Sequence, residues 1–171
     1  VGGGYIGLEM AEQMHHRGFK VTLVELAPQI LTLIDPEMAE PVESEMRDEG
    51  IDLRLNAEVA SVRANEKGDV SAAVLKDGSE LPCDMLIFGI GVRPTIGLAQ
   101  NAGLEIGQSG GIATDEHTRT SDPDIYAVGD AAEYPYAPTG SRMRVPLAGP
   151  ANRAGRIAGQ PIDDPNRRGT R

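Results

Sequence analysis

The sequence has no tryptophan, a single cysteine and few bases: 16 Lys and Arg stand against 26 Asp and Glu. One cysteine, Cys83, excludes a disulfide framework within the chain and fits a reducing compartment, the cytoplasm. The shortage of bases leaves a net charge of −10, which argues against nucleic acid or an anionic membrane as the main partner. A local loop and a helix dipole can still hold a phosphate against that global sign. Long apolar runs are missing as well. The longest, "MLIFGIGV" from Met85 to Val92, is far too short to span a bilayer. Neither internal repeats nor low-complexity segments occur. What remains is 171 residues, 40% of them hydrophobic, enough for one sizeable core or two small ones.

Along the chain, Gly2 to Gly18 reads as a loop opening a helix. Ile6, Met10 and Met14 fall on one face, with Leu8 and Ala11 beside it, and "HHRG" supplies the stop. "FKVTLVEL", Phe19 to Leu26, has the β-branched pattern of a buried parallel strand. A second helix starts with Asp35 as N-cap and Pro36 in the first position, and stops at Gly50. Its apolar stripe is Met38, Val42 and Met46, and Pro41 should bend it or delay its regular start. From Ile51 to Leu81 the segments "IDLRL", "EVASVRA", "VSAAVL" and "SELPC" alternate with turns at "NEKGD" and "KDGS", which predicts an antiparallel meander. "CDMLIFGIGVRP" reads as another buried strand, followed by a short helix over Thr95 to Ala102. A strand from Ile125 to Val128, a hairpin tip at "APTGS" and a last helix from about Ala148 to Ala158 follow, then an exposed, turn-rich tail from Gln160 to Arg171. The fold class expected is α/β: a Rossmann-like three-layer dinucleotide-binding domain with an antiparallel meander, then a second, incomplete half-domain.

Two glycine sites carry the chemistry. Gly2, Gly4 and Gly7 satisfy G-x-G-x-x-G, and the strand after the helix ends in an acid, Glu25, eighteen residues beyond Gly7. That context is the one dinucleotide binding requires. Gly2 allows the tight turn, Gly4 lets a pyrophosphate approach the backbone, and Gly7 allows close helix–strand packing. Glu25 would accept hydrogen bonds from a ribose and repel a 2′-phosphate, favouring NAD over NADP. In "TSDPDIYAVGDAAE" a short strand delivers Gly129 and Asp130 to the start of the next element. A carboxylate there can bind a polyol, and a strand-end Asp can equally be a helix N-cap.

"GGGYIGLE", "GIGVRP", "TSDPDIYAVGD" and "PLAGPANRAGR" occur in that order from Val1 to about Ala158. Together they resemble the flavin-dependent pyridine nucleotide–disulfide oxidoreductases, the last motif being similar to the NADH oxidase, NADH peroxidase and coenzyme A-disulfide reductase branch. The resemblance implies an NAD(H)-binding domain over residues 1–93, with a truncated first strand, and the C-terminal half of an FAD-binding domain over 94–171. It implies that Asp130, beside Gly129, binds the ribitol chain of FAD. Leu147 and Ala148, at the N-terminus of the last helix, would face the pyrimidine end of the flavin, where a helix dipole favours negative charge. Tyr5 and Ile6 would lie beside the nicotinamide, Tyr5 being similar to a gate that stacks on the flavin; the plain alternative is an apolar residue at a helix start. Glu9 would face the nicotinamide–flavin contact, or is a surface acid in a first turn. Gly89 and Gly91 would approach the dinucleotide through backbone.

The resemblance also implies what to expect elsewhere. The family's N-terminal FAD loop, its redox-active cysteine and its C-terminal dimerisation domain have no counterpart in these residues, so the chain is expected to be part of a longer enzyme and to carry no catalytic residue of its own. Cys83, without a His or a second Cys, reads as a structural thiol. His15 and His16 lack ligand spacing and suit helix capping rather than a metal. The intact enzyme is expected to be a homodimer that moves hydride from NADH to FAD and on to a thiol or disulfide, peroxide or dioxygen. A ferredoxin- or rubredoxin-type NADH reductase and a non-catalytic NAD-sensing module are the alternatives. "PLAGPANRAGR" opposes the first, and the flavin-type "AVGD" segment opposes the second.

Overall fold

The computed structural model describes residues 1–163 and divides into two compact units, Val1–Val92 and Arg93–Arg171. In the first, α1 (Tyr5–His16) leads to β1 (Thr22–Val24), then α2 (Pro36–Asp48) to β2 (Asp52–Arg54). β1 and β2 pair in parallel, Leu23 opposite Leu53. The core between these elements is Ala11, Leu23, Ile30, Ala39, Met46 and Ile51, flanked by Leu8, Val21 and Leu53. Burying Ile30 completely removes its side chain from water, a gain of roughly 1.5–3 kcal/mol. β3 (Val59–Ala64), β4 (Val70–Leu75) and β5 (Glu80–Pro82) form a separate antiparallel sheet in chain order. Its turns follow from side chains. Asn65 Oδ1 accepts from Lys67 and Asp69 N–H groups, Asp77 Oδ1 accepts from Ser79 N–H, and Gly68 and Gly78 take the positive φ that each tip needs.

In the second unit, α3 (Gly97–Asn101) precedes β6 (Ile112–Ala113). A 3-10 turn at Gly129–Ala131 then leads into β7 (Ala132–Tyr136), β8 (Ser141–Met143) and α4 (Ala148–Asp163). β6 pairs with β7 in parallel, and β7 with β8 as a hairpin that closes between Tyr136 and Ser141, at the "APTGS" tip.

Several expectations need correction. "IDLRL" is not part of the meander: β2 lies beside β1, because a short αβ connection through α2 returns the chain parallel to its starting strand. The strand expected over Phe19–Leu26 shrinks to Thr22–Val24, with Phe19 and Leu26 exposed. "CDMLIFGIGVRP" forms no strand and is not buried: Met85, Phe88, Ile90 and Val92 are exposed, and Cys83 is half-buried. Among the described residues its backbone is held only by Cys83 N–H donating to Ser71 O at 3.1 Å and by Val1, which donates to Ile87 O and accepts from Gly89 N–H, both at 2.7 Å. Ile125–Val128 is no strand either, only a bridge between Tyr126 and Arg119. The buried faces are shifted as well. α1 buries Ala11 while Ile6 is exposed, and α2 buries Ala39 and Met46 while Met38 and Val42 are exposed. α2 begins at Pro36, so Pro41 does not delay it; Asp35 occupies the N-cap position as expected, but its side chain makes no capping hydrogen bond. Finally, α4 continues through Asp163, so Gln160–Asp163 are helical rather than tail; residues 164–171 of that tail lie outside the described residues.

Candidate functional site

The first glycine loop is built by close approach of backbones. Gly2 has φ +101°, and a Cβ there would lie 2.5 Å from Gly89 O. A Cβ on Gly7 would lie 1.8 Å from Gly2 O, and one on Gly89 would lie 3.2 Å from Gly7 N. Gly2, Gly7 and Gly89 therefore interlock, and their lack of side chains is explained by the protein itself. Gly4 is different. It has an extended backbone (φ −75°, ψ 175°), is exposed, and a Cβ on it would meet nothing within 4 Å. It is also the N-cap of α1, so no side chain covers the first N–H groups of that helix, and the first helical bond runs from Leu8 N–H to Gly4 O at 3.0 Å. An open backbone at a positive helix end is suited to an anionic oxygen.

Glu25 follows β1 directly and bends back over this loop. Its Oε2 accepts from Gly3 N–H at 2.5 Å and its Oε1 from Ala27 N–H at 2.7 Å. Each oxygen is used once, so further lone pairs can take ribose hydroxyls. The structure brings Gly2, Gly4, Gly7, Glu25 and Gly89 together. Tyr5, Ile6 and Glu9 are exposed on the first turns of α1, and Gly91 has φ +87° with open space around it. Gly3 escaped the sequence reading. Its Cβ would sit 3.0 Å from both Glu25 Oε2 and Ile30 Cγ2, so the middle glycine is needed to bring the acid to the loop. The triple glycine "VGGG" is the signal that could have shown it, since the motif itself leaves that position free.

The second group belongs to the Arg93–Arg171 unit. Gly129 has φ +79°, a Cβ on it would meet nothing within 4 Å, and Asp130 beside it is exposed. Asp130 makes no N-cap hydrogen bond; Val128 occupies the N-cap position of the 3-10 turn, which removes the capping alternative for the acid. That turn packs against α4. Leu147 and Ala148 are exposed at the start of α4, and the first helical bond runs from Ala151 N–H to Leu147 O at 3.2 Å. Ala148 and Gly149 N–H groups precede that bond, and Pro150 has none to offer. Glu133, in β7, is fully buried. Burial pushes its carboxyl up, but the Ser109 hydroxyl and N–H and the Arg142 guanidinium outweigh that and hold it below the ordinary range.

Both groups fit a dinucleotide: each pairs an open glycine backbone with an exposed helix start or carboxylate. Among the described residues no cluster of His, Cys, Asp and Glu is placed to hold a metal ion, and no helix is long and apolar enough to cross a membrane.

Comparison with known proteins agrees with this arrangement. Residues 1–155 match the pyridine nucleotide-disulphide oxidoreductase family model. An NADH oxidase of Methanocaldococcus jannaschii is 42% identical over 163 residues, covering 95% of this chain and 36% of the relative. A 5,5'-dehydrodivanillate O-demethylase ferredoxin reductase subunit of Sphingobium is 40% identical, covering 95% of this chain and 39% of its own length. The crystal structure of reduced Bacillus anthracis CoADR-RHD superposes with a TM-score of 0.86 at 44% identity, covering 94% of this chain and 28% of that one. The chain thus spans little more than a third of the curated relatives it matches. With an α/β Rossmann-like fold, two glycine sites and a family match over almost all of its length, the chain belongs to the pyridine nucleotide-disulphide oxidoreductases, in the NADH oxidase and coenzyme A-disulfide reductase branch.

Proposed function

We propose that this chain supplies the NAD(H) site and part of the FAD site of a flavoprotein oxidoreductase. Residues 1–93 are the NAD(H)-binding domain and 94–171 the C-terminal half of the FAD-binding domain. The observation that carries the reading is the contrast at the first loop. Gly2, Gly7 and Gly89 lack side chains because the backbone has no room, whereas Gly4 lacks one where only solvent stands. Gly suits an N-cap by itself, and a ligand that approaches this open backbone at the positive helix end accounts for it as well.

In this reading Gly4 and the first N–H groups of α1 hold the pyrophosphate of NADH, and Glu25 takes the adenosine ribose hydroxyls. Gly91 lets backbone approach the nicotinamide half, with Tyr5, Ile6 and Glu9 lining it from α1. Asp130 accepts hydrogen bonds from the ribityl chain of FAD past the bare Gly129, and the α4 N-terminus at Leu147 and Ala148 holds negative charge near the pyrimidine. Bound FAD would supply the two-electron acceptor for hydride from NADH and pass the electrons to a thiol or disulfide, peroxide or dioxygen. The residues of this chain orient and bind; none is assigned a covalent step. A homodimeric, cytoplasmic enzyme completes the reading. A second acceptor class, a ferredoxin- or rubredoxin-type protein, is favoured by the 40% identity to a ferredoxin reductase subunit.

Titration of the chain with NADH and NADPH, followed by nicotinamide fluorescence, tests the nucleotide half. Tighter binding of NADH is expected, and E25A should narrow the difference by admitting the 2′-phosphate. Equal or tighter binding of NADPH to the unmodified chain overturns the role of Glu25.

A further inference from the structure

The turn that presents Asp130 is held by side chains of residues that no motif includes. Gly129 N–H donates to Tyr134 Oη at 2.7 Å, and the same hydroxyl donates back to Gly129 O at 3.3 Å. Arg144 Nη1 donates to Asp130 O at 3.4 Å, and its Nε donates to Ser109 O at 3.1 Å. Ser109 is itself fixed, because its N–H and Oγ both donate to Glu133 Oε2, at 2.6 and 2.5 Å. Arg142 Nε donates to the other carboxylate oxygen at 3.2 Å. There is no slack around this chain of contacts. A Cβ on Gly107 would lie 2.0 Å from Glu133 Oε1, and one on Gly111 would lie 2.8 Å from Arg144 Cδ.

The backbone at Gly129 needs such support. A glycine at φ +79° with open space where a Cβ would lie has no side chain of its own to define its conformation. The tyrosine hydroxyl and the guanidinium provide part of the definition that a side chain would otherwise give. Burial raises the Tyr134 phenol, the hydrogen bond from Gly129 N–H offsets part of that, and the negative charge of Asp130 raises it again, so the hydroxyl keeps its proton at neutral pH and stays able to donate.

We propose that Tyr134 and Arg144 are positioning residues for flavin binding: they fix the backbone of Gly129 and Asp130 so that the Asp130 carboxylate is preset to receive the ribityl chain, with Glu133 and Ser109 anchoring Arg144 from behind. The proposal rests on the flavin reading of Asp130. It follows the general rule that a binding group works best when the residues behind it remove its freedom before the ligand arrives.

The test uses the isotope-labelled 171-residue chain and its Y134F, R144A, R144K and D130N variants. Exchange of the Gly129 amide with deuterium is followed by NMR, and FAD is titrated while the Gly129 and Asp130 amide shifts are read, which detects binding even in the millimolar range. Circular dichroism and NADH titration check that each variant remains folded. Expected are a tenfold or greater acceleration of Gly129 exchange in Y134F, and FAD binding five- to tenfold weaker in Y134F and R144A. R144K should recover much of the loss, since a lysine still reaches a carbonyl. D130N should weaken FAD at least as much while leaving Gly129 exchange slow. If D130N binds FAD poorly but Y134F and R144A bind it like the unmodified chain, the positioning roles are wrong and the flavin reading stands. Unchanged Gly129 exchange in Y134F also removes the clamp. If FAD shifts neither amide in the unmodified chain, or D130N binds as it does, the flavin reading falls and takes this proposal with it.

Discussion

Gly4 and Gly7 stand three positions apart in one loop, yet their missing side chains answer to different neighbours. At Gly7 a Cβ would lie 1.8 Å from Gly2 O, so alanine forces backbone to move. We expect G7A to lose about 3 kcal/mol or more in urea unfolding, at or beyond the upper end of ordinary overpacking. At Gly4 the backbone is extended and the space is open, so G4A should stay within about 1 kcal/mol of the unmodified chain, the modest difference between Gly and Ala at an N-cap. Its NADH affinity should nevertheless fall at least tenfold, because the added methyl occupies the phosphate's approach. Equal stability for the two variants, or full NADH affinity in G4A, contradicts the division. At this scale the sequence was informative where a motif fixes a position, as for Gly2, Gly4, Gly7 and Glu25. It was silent on Tyr134, whose hydroxyl reaches back five residues to Gly129, and on Arg144, which the β7–β8 hairpin returns to the turn. No spacing rule encodes either contact.

Among the elements, the β7–β8 hairpin depends on one buried acid. Glu133 bonds a loop residue, Ser109, and a β8 residue, Arg142, so its charge ties three segments together. Its folded-state pKa is held below the ordinary value of 4.5. The unfolded chain therefore takes up the proton first as pH falls. The stabilisation is complete at neutral pH, begins to fade below about pH 4.5 and is gone once the pH has passed below the folded value. E133A should remove that acid-side loss together with roughly 1–2 kcal/mol at pH 7, because the half-buried Ser109 loses the acceptor for both its N–H and its hydroxyl. Denaturation of both chains from pH 3 to 7 reads the difference, and parallel pH profiles would rule the acid out as the source. Element boundaries were legible where capping and turn residues decide them: α1, α2, the β3–β4–β5 meander and the β7–β8 hairpin. They failed where hydrophobicity alone was the guide. "MLIFGIGV" reads as a buried strand, but a strand requires a paired neighbour along its length, and among the described residues this segment makes backbone hydrogen bonds only with Val1. Of the apolar stripes, Met46 in α2 is buried as expected, but the small Ala11 and Ala39 are buried while the larger Ile6, Met38 and Val42 are exposed.

For the molecule as a whole, the feature with the longest reach is the contact of the first loop with the segment around Gly89. Val1 and Ile87 are 86 positions apart in the chain, and Gly2 and Gly7 reach the same neighbourhood. Helix α1 and strand β1 are local and can form early, but the backbone that completes the nucleotide loop arrives only after the intervening meander has closed. Contacts of such separation carry a large chain-closure cost and are made late in time. Competence to bind NADH is then a property acquired at the end of folding rather than with the helix that names the motif. In stopped-flow refolding, far-UV ellipticity should recover ahead of NADH fluorescence, with the nucleotide signal following the slower phase. Simultaneous recovery of the two would mean that the loop assembles without its distant partner. The kinetic consequence is that a nascent chain released before residue 89 carries the whole glycine fingerprint and still lacks a site.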